Sequence, residues 1–478
     1  MTGRLRRGWP LALAALAAVA IRLPLLAVPL DADEGGYAYL ARQWAAGGRL
    51  YGPVWVDRPQ ALMLGYRLVT ALGRSRAWIH LAAAGCAVLL LAGVAGAAWA
   101  LAGRRAAGFA AFAVAVVGAA PHLQGFMLNG ELAAGAWSAC AVAASAWYVR
   151  RRRSWLLLAA GVAGAVAVLT KQSGFDGLLL ALGSAYAFGR IRAALTVLAG
   201  AAVPLGLAVL AAALTSWHDW WFAVVGYRLQ TSAGSRGGVT GRWHNLTAGV
   251  PHLWPDLLPL AALGLLGLAC CLRPVRRQRP RPDPARLLPP AWLVLAGLGF
   301  YGGVFFFPHY WMQLVGPLCL LGGLGLSALP PRAAVAALLV ACLPATLWTT
   351  RAALAPPDRR DRLAVPDARL LANRDIAPWL RAHAAPGDQL YAFVSSADLY
   401  YTTGLRTDFR YLWQANLEAI PAAVPQLRAY LAGAGRPRWV VLYQQPAVID
   451  PSGAIGLTLA ADYRPVAVID GYRILRAG

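Results

Sequence analysis

Eleven long apolar stretches, separated by short arginine-bearing connections, constrain this chain more than any other feature. They fall near residues 9–30, 77–103, 106–122, 132–149, 154–170, 175–189, 194–214, 251–272, 287–307, 311–329 and 333–349. About 20 apolar residues in a helix rise far enough to cross the hydrocarbon of a bilayer. Within lipid each backbone N–H and C=O must bond inside its own segment, so such runs become helices. Composition agrees, with 59% of the 478 residues apolar and 13% charged, where a soluble domain is about one quarter charged. The reading is a mainly α, polytopic membrane protein of about eleven transmembrane helices.

The net charge of +24 is not a nucleic-acid signature, because the arginines sit in short clusters between apolar runs. Threaded alternately, the inward segments collect eighteen arginines: Arg4, Arg6 and Arg7, Arg104–Arg105, Arg150–Arg153, Arg190 and Arg192, six within 273–286, and Arg332. The outward connections at 121–131 and 308–311 carry none. That bias puts the N-terminus in the cytoplasm and, with an odd number of crossings, the C-terminus outside the cell membrane. The first run follows basic residues as a signal peptide would, but it is long and lacks a clean cleavage site, so it reads as an uncleaved span. All six cysteines lie in apolar runs and imply no disulfide framework.

Beyond residue 349 the long apolar runs stop. Residues 367–383 have the period of an amphipathic helix, while 389–394, 439–443 and 465–475 read as strands, the last a hairpin about Asp470-Gly471. The expected division is a transmembrane unit, 1–349, and a small extracytoplasmic α/β domain, 350–478. The tail carries no nucleotide, metal or nucleophile motif.

Polar residues concentrate on one side. The first outer loop, 31–76, opens with Asp33-Glu34 at the start of a short helix whose face Tyr37, Leu40, Ala41 and Trp44 suits a membrane interface. Capping by Asp31 or Asp33 is the bland account of these acids. Val56-Asp57-Arg58-Pro59 follows, with Pro59 placed to open a second interface helix bearing Leu62, Met63, Tyr66 and Val69. An exposed turn pair is the bland account of Asp57-Arg58. Glu131 heads the fourth span, where a helix N-terminus welcomes any acid. Thr170-Lys171-Gln172 closes the fifth, where a lysine can simply snorkel. His309-Tyr310-Trp311 precedes the tenth, where aromatic belts are common. Arg22, inside the first span, is expected to snorkel outward or to balance the acidic loop. The segment 215–250 joins Trp217, His218, Trp220, Trp221, Tyr227 and Arg228 to glycine-rich 234–241, then Trp243 and His244. It reads as a lid with a mobile centre or as an ordinary loop. Scattered structural polars have no reason to share one face, and a single outer site accounts for them together.

In the order Asp33-Glu34, Asp57-Arg58-Pro59, Glu131, Thr170-Lys171-Gln172 and His309-Tyr310 with Pro317, the chain resembles the C-type (GT-C) glycosyltransferases of the protein-mannosyltransferase and aminoarabinose-transferase kind. The resemblance covers residues 1–349, and many members carry an outer α/β domain like the tail. It implies transfer of a sugar from a polyprenyl-phosphate donor to a lipid, glycan or protein acceptor outside the cytoplasm, with inversion. It implies catalytic roles for Asp33 as general base and for Glu34 and Glu131 as supporting carboxylates. Arg58, Lys171, Tyr310, His309 and Arg228 are the groups expected at the donor phosphate. A divalent metal is the one cofactor it raises, through Asp57 with His244 or His218, although no ligand spacing establishes it. The sequence departs from the family pattern at Gln60, where a second proline usually stands. The rival readings are a transporter or lipid flippase, an oligosaccharide ligase or polymerase, and a noncatalytic scaffold. A transporter favours repeats and mid-membrane polar breaks, which are not evident here. A ligase is expected to keep its charges in late outer loops. The partners that follow are a lipid-linked donor, an acceptor and membrane lipids, with no nucleic acid.

Overall fold

Each of the eleven apolar runs is helical in the computed structural model, which describes residues 9–233, 238–272, 284–394 and 396–478. Helix α1 (Trp9–Ala20) ends in a 3₁₀ turn, and two short helices follow in the first loop, α2 (Ala32–Ala45) and α3 (Gln60–Ala71). The bundle continues through α4 (Arg76–Ala102), α5 (Arg104–Val117), α6 (Gly130–Arg151), α7 (Trp155–Thr170) and α8 (Asp176–Thr215). Two expected runs, 175–189 and 194–214, are joined in α8 across a kink at Arg190, whose φ is 63°. Helices α9 (Trp217–Trp221) and α10 (Tyr227–Ala233) flank a π-helical turn at Phe222–Gly226. The bundle closes with α11 (Val239–Leu272), α12 (Leu288–Tyr301), α13 (Met312–Ser327) and α14 (Pro331–Leu354), which runs on past the expected end at 349. Six of the described helices are long and apolar enough to cross a membrane, and the others are shorter or less apolar.

Alanine and glycine let these helices approach closely. A Cβ added at Gly93 would fall 2.6 Å from the Ala139 carbonyl carbon, and one at Gly267 would strike the Leu321 carbonyl oxygen. Small residues at such crossings are how apolar helices associate where lipid removes any hydrophobic gain. The arginine clusters gather at one end. Arg105 donates to the Leu329 carbonyl at 2.7 Å, Arg150 to the Ala100 carbonyl at 2.9 Å, and Arg152 to the Phe188 carbonyl. The basic stretch 273–283, Arg4, Arg6 and Arg7, and residues 234–237 of the glycine-rich segment lie outside the described residues.

Two expectations need correction. Arg22 neither snorkels nor meets the acidic loop: it is 1% exposed and donates to the Ala18, Gly118 and Gly125 carbonyls. The turn at Pro121–Leu123 leaves carbonyls without helical partners, and the guanidinium has five N–H groups to offer them. The segment 215–250 is helical on both sides of residues 234–237, with α11 beginning inside the expected loop.

The C-terminal segment continues with α15 (Pro357–Ala364), α16 (Ala368–His383), β1 (Leu390–Phe393), α17 (Asp398–Thr403), α18 (Gln414–Ala419), α19 (Ala423–Ala432), β2 (Trp439–Leu442), α20 (Ala454–Asp462), β3 (Tyr463–Ile469) and β4 (Tyr472–Ala477). Its sheet has the order β1-β2-β4-β3, with β1 parallel to β2 and the other pairs antiparallel. Leu390 pairs with Trp439, and Val441 with Ile474. The β3–β4 hairpin turns on Asp470 and Gly471, both at positive φ, as such a two-residue turn requires. This unit packs on α2. Tyr39 stacks near Tyr400, with ring centroids 5.1 Å apart, and the Thr407 N–H donates to the Tyr39 hydroxyl at 3.0 Å. The interface face expected for α2 is therefore only half of its burial, because its other side lies under the C-terminal segment.

Candidate active site

The three acids at the start of α2 divide their work. Asp31 is the N-cap, its carboxylate accepting the Asp33 N–H at 2.9 Å, and Glu34 returns the bond by accepting the Asp31 N–H at 3.2 Å. This is a capping box. Glu34 is 1% exposed, and its other oxygen accepts the Leu128 N–H at 2.7 Å. His80 Nε2 lies 3.3 Å from Glu34 Oε2, while His80 Nδ1 reaches the Leu26 carbonyl at 3.1 Å. Both oxygens of Glu34 are thus engaged in tying α2 to α4 and to the strap before α6. Asp33 differs: its side chain is 27% exposed, it accepts the Tyr37 hydroxyl at 3.1 Å, and Arg58 stands 3.9 Å away.

Arg58 is held from several sides. Its Nη1 is 2.6 Å from Asp57 Oδ2, its guanidinium lies 5.6 Å from the centre of the Tyr37 ring, and its carbonyl accepts the Tyr51 hydroxyl at 3.0 Å. Burial disfavours the cation, but Asp57, Tyr37 and Asp33 outweigh it and hold the guanidinium well above its ordinary range. Asp57 also pairs with Arg228, at the start of α10. Gln172 spans the same region, donating to the Asp57 carbonyl at 2.8 Å and to the Val224 carbonyl at 3.0 Å.

The second half of the site comes from the bundle. Asn129 caps α6 by accepting the Leu132 N–H at 2.8 Å, which sets Glu131 in the first turn, 3% exposed. Lys171, at the end of α7, donates to Glu131, and its Nζ lies 4.0 Å from the Tyr310 ring centre. Burial lowers the Lys171 ammonium, and Glu131 opposes the shift. His309 Nε2 approaches Glu131 Oε1 at 4.0 Å, and its Nδ1 is 2.7 Å from Gln124 Oε1. The halves adjoin, for Arg58 interacts electrostatically with Tyr310 and Glu131, and Asp33 with Lys171 and His309. A cavity of about 210 Å³ opens beside them, lined by Glu131, Lys171, Gln172, Arg228, Tyr310 and Gln313 among others. Asp33, Asp57, Arg58, Glu131, Lys171, Arg228, His309 and Tyr310 therefore gather in one place, each cation facing a carboxylate.

The metal expectation fares differently. Asp57 is occupied by two guanidinium groups, His244 lies in exposed positions of α11, and no group of three or more His, Cys, Asp or Glu side chains forms among the described residues. The residues present do not make a divalent-metal site, and no chemistry is derived through one.

Sequence reasoning missed the roof. Trp413 of the C-terminal segment lies 5.5 Å from Tyr37, centre to centre, and Asn416 donates to the Tyr227 hydroxyl at 3.0 Å. Trp55 stands edge-on to both Tyr227 and Tyr411. The indole N–H groups of Trp55 and Trp413 are buried without an acceptor among the described residues. Tyr37 had a signal, four residues after Asp33 on one helix face; Trp413 and Asn416 had none.

No family model matches the sequence, and no curated protein matches it. Solved structures do. ArnT from Cupriavidus metallidurans bound to undecaprenyl phosphate superposes with a TM-score of 0.66 at 18% identity, over 98% of this chain and 98% of that one. Its apo state gives 0.68 at 19% identity, covering 98% and 97%. The Archaeoglobus fulgidus oligosaccharyltransferase tethered to an acceptor peptide gives 0.57 at 16% identity, over 96% of this chain and 72% of the other. The likeness runs through bundle and C-terminal segment alike, and the fold is the one these proteins share.

Proposed function

We propose that this chain, built on the GT-C fold of ArnT and the archaeal oligosaccharyltransferase, is a membrane glycosyltransferase that moves a sugar from a polyprenyl-phosphate donor to an acceptor hydroxyl. The observation that carries the reading is the convergence of Asp33 and Glu131 with Arg58, Lys171 and Arg228 beside one cavity. The undecaprenyl phosphate in the ArnT complex supports a lipid-linked donor of that class. In the reaction the acceptor oxygen attacks the anomeric carbon, and the bond from that carbon to the phosphate oxygen breaks. The hydroxyl proton passes to Asp33, the one carboxylate of the α2 cap that is solvent-accessible and not spent on backbone N–H groups. Negative charge builds on the departing polyprenyl phosphate, where Arg58, Lys171 and Arg228 receive it. Attack from the face opposite the leaving group inverts the anomeric centre. Glu131 holds the Lys171 ammonium in place until phosphate arrives, with Tyr310 against the cation and His309 beside the carboxylate.

On this reading the site opens to the outer face of the cell membrane, with the arginine clusters cytoplasmic and the segment from about residue 350 folded outside as the roof. The test is turnover of purified full-length chain with labelled polyprenyl-phosphate sugars. Asp33→Asn, which keeps the shape and loses the base, should lower kcat by about 10²–10⁴-fold. Undiminished transfer by that variant would remove the assignment.

A further inference from the structure

A second cavity, of about 530 Å³, lies where the connection from α3 to α4 meets α16 and α17. Arg74, Arg76, Arg374 and Arg381 line it, with Ser75 and Thr402. Two of these cations are compensated. Arg374 bonds Asp358 at 2.7 Å and approaches Asp361 at 3.3 Å, and Arg381 donates to the Thr402 carbonyl at 3.1 Å. The side chains of Arg74 and Arg76 have neither an ion-pair partner within 4.0 Å nor a hydrogen bond among the described residues. Asp361, the acid that acts electrostatically on Arg76, is shared with Arg360 and Arg374. The cavity therefore holds more positive charge than its own carboxylates balance.

Its position suggests what supplies the missing anion. Helix α3 and its C-cap present Leu64, Leu68 and Leu72 at 49%, 64% and 63% exposure, one row at four-residue spacing that ends two residues before Arg74. Trp78, two residues after Arg76, is 41% exposed. A leucine row facing acyl chains, then arginines beside a tryptophan, is the sequence of environments met from hydrocarbon to headgroup. We propose that this cavity binds a phosphate group, and that its source is the headgroup of an anionic phospholipid. Guanidinium groups suit it because their N–H forks match phosphate oxygens in pairs. The bound lipid bridges the α3–α4 corner of the bundle to α16 and α17, a role separate from sugar transfer.

Native mass spectrometry of the full-length chain taken from phosphatidylglycerol–phosphatidylcholine vesicles tests this. The Arg74→Gln/Arg76→Gln double variant should retain about tenfold less phosphatidylglycerol than the native chain, two cations at a membrane surface being removed. Arg192→Gln, at the far end of the bundle, should retain the native amount, and Arg74→Lys/Arg76→Lys should keep most of it. Millimolar inorganic phosphate added to the native chain separates the sources: lipid that stays bound assigns the site to a headgroup, and lipid that is displaced assigns it to the phosphate group alone. Equal retention by native and Gln-substituted chains would overturn the proposal. So would identical melting of the native chain in phosphatidylglycerol and in phosphatidylcholine, a measurement that needs no variant.

Discussion

Asp33 and Glu34 are neighbours in sequence with opposite surroundings, and that contrast makes them separable by experiment. Glu34 is buried and accepts from two backbone N–H groups beside His80, whereas Asp33 meets solvent, Tyr37 and Arg58. Glu34→Gln keeps the volume but weakens the charge-assisted bonds, so thermal or chemical unfolding should show a loss of about 1–3 kcal/mol. Asp33→Asn keeps an acceptor for the Tyr37 hydroxyl and loses only the 3.9 Å pairing with Arg58, so unfolding should change by less than about 1 kcal/mol while turnover falls by the stated factor. If the two variants lost stability and activity in the same proportion, this division of labour would be wrong. The adjacent acids were legible in the sequence because a capping box and a reactive carboxylate both start helices. Which acid does which came only as an implication of the family resemblance, since in the structure it depends on Leu128 and His80 arriving from distant turns. The same limit applies to Arg22, whose carbonyl partners belong to an irregular turn with no pattern of its own.

At the scale of elements, α2 shows what a glycine pair can do inside a helix. Gly35-Gly36 follows the acids and looks like a weak start to an interface helix. In the structure the pair lets another backbone approach: a Cβ on Gly35 would sit 2.2 Å from Asp398 Cα, and one on Gly36 2.5 Å from Trp413 Cζ2. Gly35→Ala should therefore cost about 1–3 kcal/mol as α17 is pushed off α2, with transfer activity falling in step. Gly65→Ala, on α3 with nothing within 4 Å, should instead be neutral or stabilise by up to about 1 kcal/mol. Melting curves of the two variants in one detergent make the comparison. Elements specified by periodicity alone were read correctly, including α16 and all four strands, because a strand pair or an amphipathic face leaves its mark locally. The helices within 215–250 escaped, since glycines and aromatics there look like a loop until α8 and the C-terminal segment pack against them.

The whole molecule is a bundle and an α/β unit sharing an acidic seam. Asp398 is 2% exposed; burial pushes its carboxyl up to about 7, against the hydrogen bonds from Asn373 and Ser396. Asp31 rises to about 8 through burial, with Asp33, Glu34 and Asp398 adding repulsion. Asp367 also bears on Asp398, while Arg369 faces Asp31 and Tyr443 faces Asp398. An acid whose folded value is raised keeps a proton that the unfolded chain releases above about pH 4. The native state is thus the better proton binder, so this seam loses stability as pH climbs toward 8 and changes little beyond. Melting followed from pH 5 to 9 should fall over that interval, and Asp398→Asn should flatten the curve; an unchanged slope in the variant would dismiss the seam as its origin.

Trp413 stands far along the polypeptide yet packs on Tyr37 of the first loop, and Asn416 reaches Tyr227 at the start of α10. During synthesis the early helices can enter the bilayer and assemble with their charged residues in place, but the pocket has no lid until residues 413–416 have been made. A chain stopped before Trp413 would hold the charged residues of its bundle but lack the roof and, on the proposed reading, would be incompetent for transfer.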